Sequence, residues 1–123
     1  MNIKEVCERT GLSQDTLRYY EKVGMIPKVK RSAGNIRTYD EEDLGWIELA
    51  KCMRSAGLPV DVMVEYLRLY REGDSTINDR LQLLKNQMDV LTQQKQAIED
   101  TMDKLSYKIK VYEKAVETGK LEW

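Results

Sequence analysis

Apolar residues recur at helical spacing in two short bursts at the start of the chain. Ile3, Val6 and Cys7 fall at i, i+3 and i+4, which predicts a helix over residues 3–9 with a shared buried face. Thr10-Gly11-Leu12-Ser13 breaks the rhythm; Gly11 suits a turn and Ser13 an N-cap. A second helix over 14–23 follows, with Leu17 and Tyr20 on one face and Thr16, Arg18, Tyr19 and Lys22 largely on others, and Gly24 stops it. Two short helices around a Gly-containing turn, residues 3–24, read as a helix-turn-helix. After Pro27 the period changes. Lys28-Val29-Lys30-Arg31 and Ile36-Arg37-Thr38-Tyr39 flank Ser32-Ala33-Gly34-Asn35, a β-hairpin pattern over 28–39.

Helical spacing then returns. Asp40 is placed to cap a helix over 41–56, with Glu41, Glu42 and Asp43 at its positive end and Gly57 after it. Pro59 and Asp61 open another over 59–72, whose apolar face is Met63, Tyr66, Leu67 and Tyr70, closed by Gly73. From about 76 to 117 there is neither Pro nor Gly. Apolar residues recur at alternating steps of four and three: Ile77, Leu81, Leu84, Met88, Leu91, Ile98, Met102, Leu105, Ile109, Tyr112 and Val116, with Lys95 the one polar residue on the seam. A pattern sustained over five heptads predicts a coiled coil roughly 60 Å long. The fold expected is therefore mainly α: a winged helix-turn-helix head and two-helix connector over 1–73, then a long dimerisation helix over 76–117.

So long a stripe cannot be covered by a head of about 70 residues, and the chain has one such helix, so a homodimer is expected. Lys95 lies near the midpoint of the seam. A parallel pair would face it with its own copy in a desolvated layer, whereas an antiparallel pair sets it near Ile98 of the partner. The antiparallel coil is favoured, although one polar seam residue can also set register in a parallel one. Leu83, Val90, Ala97 and Val111 form a second apolar stripe, expected to pack on a head domain.

Composition narrows the chemistry. Among 123 residues there is no histidine, so a His-based triad and a His-ligated metal are excluded. No phosphate-cradling Gly-rich loop occurs. No enzyme, cofactor or metal is expected. The two cysteines make no disulfide framework, and no signal peptide or membrane-spanning run is present, so reducing cytosol is the expected compartment, with association to the nucleoid when bound to DNA. Net charge is −1, but it is divided: residues 1–39 carry eight Lys/Arg and four Asp/Glu, +4, and residues 40–123 carry twelve and seventeen, −5. The hairpin strands hold four basic residues and no acidic one. A basic head on an acidic body predicts double-stranded DNA as partner. Thr16, Arg18 and Tyr19 are the candidates for base edges. Lys28, Lys30, Arg31 and Arg37 are the candidates for phosphate charge, with Asn35 and Tyr39 as hydrogen-bond donors there.

The stretch IKEVCERTGLSQDTLRYYEKVGMIP, with GNIRTYDEEDL and KCMRSAGLPVDVM after it, resembles the MerR family of bacterial transcription regulators. The core from Thr16 to Ile26 and the R-x-Y at Arg37–Tyr39 are specific to that family; the likeness covers about residues 1–72, and the long helix matches in architecture. The resemblance implies a dimer on promoter DNA, joined by an antiparallel coiled coil. It would bend and untwist an over-long promoter spacer so that RNA polymerase holoenzyme engages both elements. Arg18 and Tyr19 match recognition-helix contacts, Arg37 and Tyr39 match wing contacts to phosphate, and Leu17 and Tyr20 match the buried face, Tyr20 also being able to reach the DNA backbone. Metal-sensing members place cysteines in and after the long helix, where residues 74–123 have no Cys or His.

Cys7 shares a face with Ile3 and Val6 and is expected in the core. Cys52 sits at the edge of the arc of Leu49, Met53 and Ala56 and is expected to be partly accessible. A small branch of the family that responds to aldehydes, nitrosative stress and other thiol-reactive electrophiles has a lone cysteine in this helix, which makes Cys52 the candidate sensor. Glu48, four residues earlier, opposes a thiolate, so an activating cation (Lys51, Arg54 or a partner residue) must come from tertiary structure. The alternatives are a structural Cys52, a non-covalent effector, an architectural excisionase-like DNA bender, and a coiled-coil scaffold whose head binds protein.

Overall fold

The computed structural model describes all residues, Met1–Trp123. Helix α1 runs Ile3–Thr10 and α2 Gln14–Val23, each ended by a glycine in left-handed conformation, Gly11 at φ +74° and Gly24 at φ +86°. Asn2 caps α1, accepting from the Glu5 N–H, and Ser13 caps α2, accepting from the Thr16 N–H at 3.1 Å. Each such cap is worth about 1 kcal/mol. The hairpin has two-residue strands, β1 Lys30–Arg31 and β2 Arg37–Thr38, antiparallel, with Lys30 opposite Thr38 and Arg31 opposite Arg37. Its turn is closed by Asn35, which adopts φ +59°, a conformation that asparagine tolerates better than most residues.

Helix α3, Glu41–Ser55, begins with a reciprocal box: the Asp43 N–H donates to Asp40, and the Asp40 N–H donates to the Asp43 side chain. Helix α4 runs Val60–Glu72 from Pro59. A 3-10 turn, Asp74–Thr76, leads into α5, Ile77–Thr118, 42 residues without a break. Thr76 locks that corner. Its hydroxyl donates to the Leu69 carbonyl at 2.6 Å and accepts from Arg80 Nε at 3.1 Å.

Val6, Leu17, Met25, Ile47, Met63 and Leu67 centre the core of the head, each 1% exposed or less. The N-terminal residue is tied in as well: Met1 and Tyr39 exchange backbone hydrogen bonds of 2.7 and 2.8 Å, which extends the β2 side of the wing. The chain divides into two compact units, Met1–Lys85 and Asn86–Trp123, so the first turns of α5 group with the head. No helix is long and apolar enough to cross a membrane.

Two sequence expectations change here. Tyr66 and Tyr70, expected on the buried face of α4, point outward, Tyr66 half-buried and Tyr70 45% exposed; Leu69 is buried in their stead. The rings instead gather on Trp46 of α3, at 5.7 and 5.1 Å between centroids. Cys7, expected in the core, is half-buried.

Candidate nucleic-acid interface

Recognition needs a helix free to enter a groove and a wing held at a fixed angle to it. On α2, Leu17 and Tyr20 face inward, at 0% and 6% exposure, which leaves Arg18 and Tyr19 on the outer side. Arg18 is held by its own helix: it donates to Gln14 Oε1 at 3.2 Å and to Asp15 at 3.5 Å. These are exposed, weak contacts that a DNA base edge can replace. Tyr19 is 48% exposed, and Thr16 is half-buried beside Ser13, their hydroxyls 2.9 Å apart.

Glu21 fixes the wing. Its carboxylate accepts from the Val29 N–H at 2.9 Å and from Arg37 Nε at 3.0 Å. The Glu21 side chain is 11% exposed and that of Arg37 25%, so the pair is largely shielded from solvent. It joins the recognition helix to both sides of the hairpin. Sequence reasoning missed Glu21 because nothing in residue spacing places 21 beside 29 and 37. Arg37, the expected phosphate ligand, gives its Nε to Glu21, which leaves its two terminal nitrogens without a partner in the chain.

The rest of the wing is open. Lys28, Lys30, Arg31 and Asn35 are exposed. Lys30 is paired with Asp40 at 3.2 Å, and Arg31 donates to the Asn35 carbonyl at 3.3 Å. The Asp40 hydrogen bond, and then its charge, holds Lys30 above the usual lysine range. Tyr39 does not lie on the surface as expected: it is 2% exposed and its ring belongs to the core. Its hydroxyl makes no intramolecular hydrogen bond and keeps a small contact with solvent. Burial pushes the hydroxyls of both Tyr39 and Tyr20 above the ordinary tyrosine range, which keeps them as donors. Tyr20, too, is a core residue.

A sequence model described as "MerR HTH family regulatory protein" matches residues 1–70, and one described as "MerR, DNA binding" matches 44–107. The chain belongs to the MerR family. It is a DNA-binding transcription regulator of that type. It is 52% identical over 87 residues to the HTH-type transcriptional regulator AdhR of Bacillus subtilis, an alignment that spans 71% of this chain and 62% of the relative. Among solved structures, a MerR family transcriptional regulator from Listeria monocytogenes superposes with a TM-score of 0.92 at 39% identity, over 97% of this chain and 90% of that one. HiNmlR, a MerR family regulator lacking the sensor domain, solved bound to promoter DNA, superposes at 0.84 with 32% identity, over 94% and 92%. The relatives are regulators rather than enzymes.

Outside the DNA face, Cys52 is exposed on α3, as expected. Its two basic neighbours turn elsewhere. Lys51 donates to the Thr10 carbonyl, and Arg54 donates to the Leu58 carbonyl at 2.7 Å. The ammonium thus serves the end of α1 and the guanidinium the loop between α3 and α4, and neither makes a hydrogen bond to the thiol. On α5 the seam residues Ile77, Leu81, Leu84, Met88, Ile98, Met102, Leu105 and Ile109 are between 42% and 64% exposed, and Leu91 is half-buried. Lys95 pairs only loosely with Glu99, at 3.9 Å.

Proposed function

We propose that this MerR-type regulator works as a homodimer joined by an antiparallel α5 coiled coil, and that it binds promoter DNA through α2 and the wing. In this reading Arg18, Tyr19 and Thr16 address base edges. Lys28, Lys30, Arg31 and Asn35 hold phosphates, with the Tyr39 and Tyr20 hydroxyls as secondary donors, and Arg37 orients the wing. The observation that carries it is the apolar seam on α5, ten of whose eleven apolar residues are exposed in the single chain. Two heads at a fixed separation then set the twist and bend of the spacer between them, which is how such a protein would present a promoter to RNA polymerase holoenzyme.

The inducer in this reading is a thiol-reactive electrophile acting at Cys52. The thiol is exposed, it lies on the helix between wing and coil, and the chain is 52% identical to AdhR over the region that contains α3. With Lys51 and Arg54 committed elsewhere, an activating cation has to come from the partner subunit. An adduct there would displace one head against the coil, changing DNA twist more than affinity.

The experiment is in vitro transcription from the promoter beside the protein's own gene, with and without an aldehyde or nitrosating agent. Wild type should be induced. Cys52→Ser should bind the same DNA within about twofold yet lose induction, and Cys7→Ser should keep it. Full induction of Cys52→Ser would discard the thiol switch in favour of a non-covalent effector, without touching DNA binding. Failure to bind promoter DNA at moderate salt would discard the whole reading.

A further inference from the structure

Each of the two units carries an aromatic cluster beside its part of the long helix. With Ile77 at d and Leu81 at a of the heptad, Arg80 and Lys108 both take position g, beside the seam. The Arg80 guanidinium lies 5.5 Å over the Tyr70 ring, and Tyr70 meets Trp46 edge-on at 5.1 Å. Trp46, Leu49, Tyr66, Gly45 and Glu42 border a shallow depression of about 330 Å³. At the other end, the Lys108 ammonium lies 5.5 Å over the Trp123 ring, and Trp123 meets Tyr112 edge-on at 5.9 Å. Gly119, at φ +74°, makes that second cluster: it ends α5 and turns Lys120–Trp123 back beside Val111, Ala115 and Thr118.

Pairing two copies antiparallel brings these clusters together. Matching the whole seam sets Val116 beside Ile77 of the partner subunit and Tyr112 beside Leu81 of the partner subunit. Reversing one helix also sets like flanks against each other, g against g. Lys108 and Ala115, both at g, then straddle Arg80 of the partner subunit, which carries the Tyr70–Trp46 rings with it. The returning segment leaves its apolar side chains uncovered, Trp123 at 64% and Leu121 at 43% exposure. Each cluster is thus an apolar surface facing water in one copy, and each is within reach of the other in the pair.

We propose that the segment Gly119–Trp123 docks on the partner's head, seating Trp123 and Leu121 against Trp46, Tyr66 and Tyr70 of the partner subunit. The inference rests on the antiparallel dimer proposed above. Burying an indole against tyrosine and tryptophan edges removes both surfaces from water and adds edge-to-face contacts. The contact clamps each head to the far end of the opposite chain's helix. Leu49, which borders the docking face, is one turn from Cys52, so an adduct on that thiol forms at the edge of the clamp.

The test is intersubunit cross-linking in a Cys7→Ser/Cys52→Ser background. Copies carrying Trp123→Cys are mixed with copies carrying Tyr70→Cys and mildly oxidised. Disulfide-linked heterodimers should form, and neither copy should link to itself, because in an antiparallel pair the two 123 positions lie at opposite ends. Dimers by light scattering with no heterodimer link would overturn this inference alone. A monomer, or self-linking of Trp123→Cys copies as in a parallel coil, would overturn the antiparallel dimer as well. Thermal melting of otherwise wild-type protein gives a second readout. Trp123→Ala and Tyr70→Ala should each lower the midpoint by several degrees, and the double variant by little more than either; strictly additive losses would count against the contact.

Discussion

Glu21 decides more at the DNA face than its single charge suggests. It holds the Val29 N–H and the Arg37 Nε together, with its side chain only 11% exposed. Glu21→Gln keeps the shape and removes the charge from a half-buried guanidinium, so stability should fall by about 1–3 kcal/mol in urea unfolding. DNA binding should weaken for all sequences alike, because the wing loses its fixed angle; an unchanged affinity would show that the wing is oriented by other means. Arg18 behaves differently. Its present contacts, to Gln14 and Asp15, are exposed, so Arg18→Ala should leave stability within about 0.5 kcal/mol. If it reads a base edge, specific binding should drop by about 1–3 kcal/mol, with relaxed preference at one position. Lys30→Ala, by contrast, should weaken all sequences and reduce the slope of affinity against salt by about one, readable in a salt titration of the gel shift.

At the scale of elements, α3 follows the wing directly, and its start is built from two carboxylates shifted in opposite directions. The backbone hydrogen bond from Asp43, then that from the Lys30 side chain, hold Asp40 below the ordinary carboxylate value of 3.8. Burial pushes Asp43 above it. A lowered acid adds stability that is present above the ordinary value and lost as pH falls through the lowered one; a raised acid has the opposite sign, its charge costing stability once it ionises. Asp40→Asn keeps a cap acceptor but removes the ion pair and the titration. Melting curves from pH 7 down to about pH 3 should therefore show less acid sensitivity in Asp40→Asn than in wild type. Equal acid sensitivity in the two proteins would place the acid loss elsewhere.

The whole molecule depends on what covers α5. Residues 1–39 carry +4 and residues 40–123 carry −5, so charge separates the DNA-facing part from the remainder while the net stays at −1. The seam is apolar through eleven of its twelve positions and lies open in the single chain. Leu91→Asp with Ile98→Asp would bury two carboxylates in the dimer seam, each worth several kcal/mol against association. Light scattering at micromolar concentration should then report a monomer where wild type is a dimer. A wild-type monomer under the same conditions would remove the coiled coil from the account.

Much of this architecture is legible from local pattern alone. The caps Ser13 and Asp40, the glycine stops at 11 and 24, the hairpin around Gly34-Asn35 and the unbroken run of α5 each follow from forces acting within a few residues, so sequence determines them. The long heptad also determines that a partner is needed, because periodicity counts exposed surface without knowing what covers it. Tertiary packing decided the rest. Tyr39 carries a donor hydroxyl and looks like a surface contact, but its ring fills the core, since only the fold says which neighbours surround a side chain. Arg37 gives its Nε to Glu21, sixteen residues away, and Lys51 donates to the Thr10 carbonyl, forty-one away. Tyr66 and Tyr70 satisfy the helical period of α4 yet turn outward to Trp46, because the spacing marks an apolar arc while the width of the buried strip is set by the element packed against it.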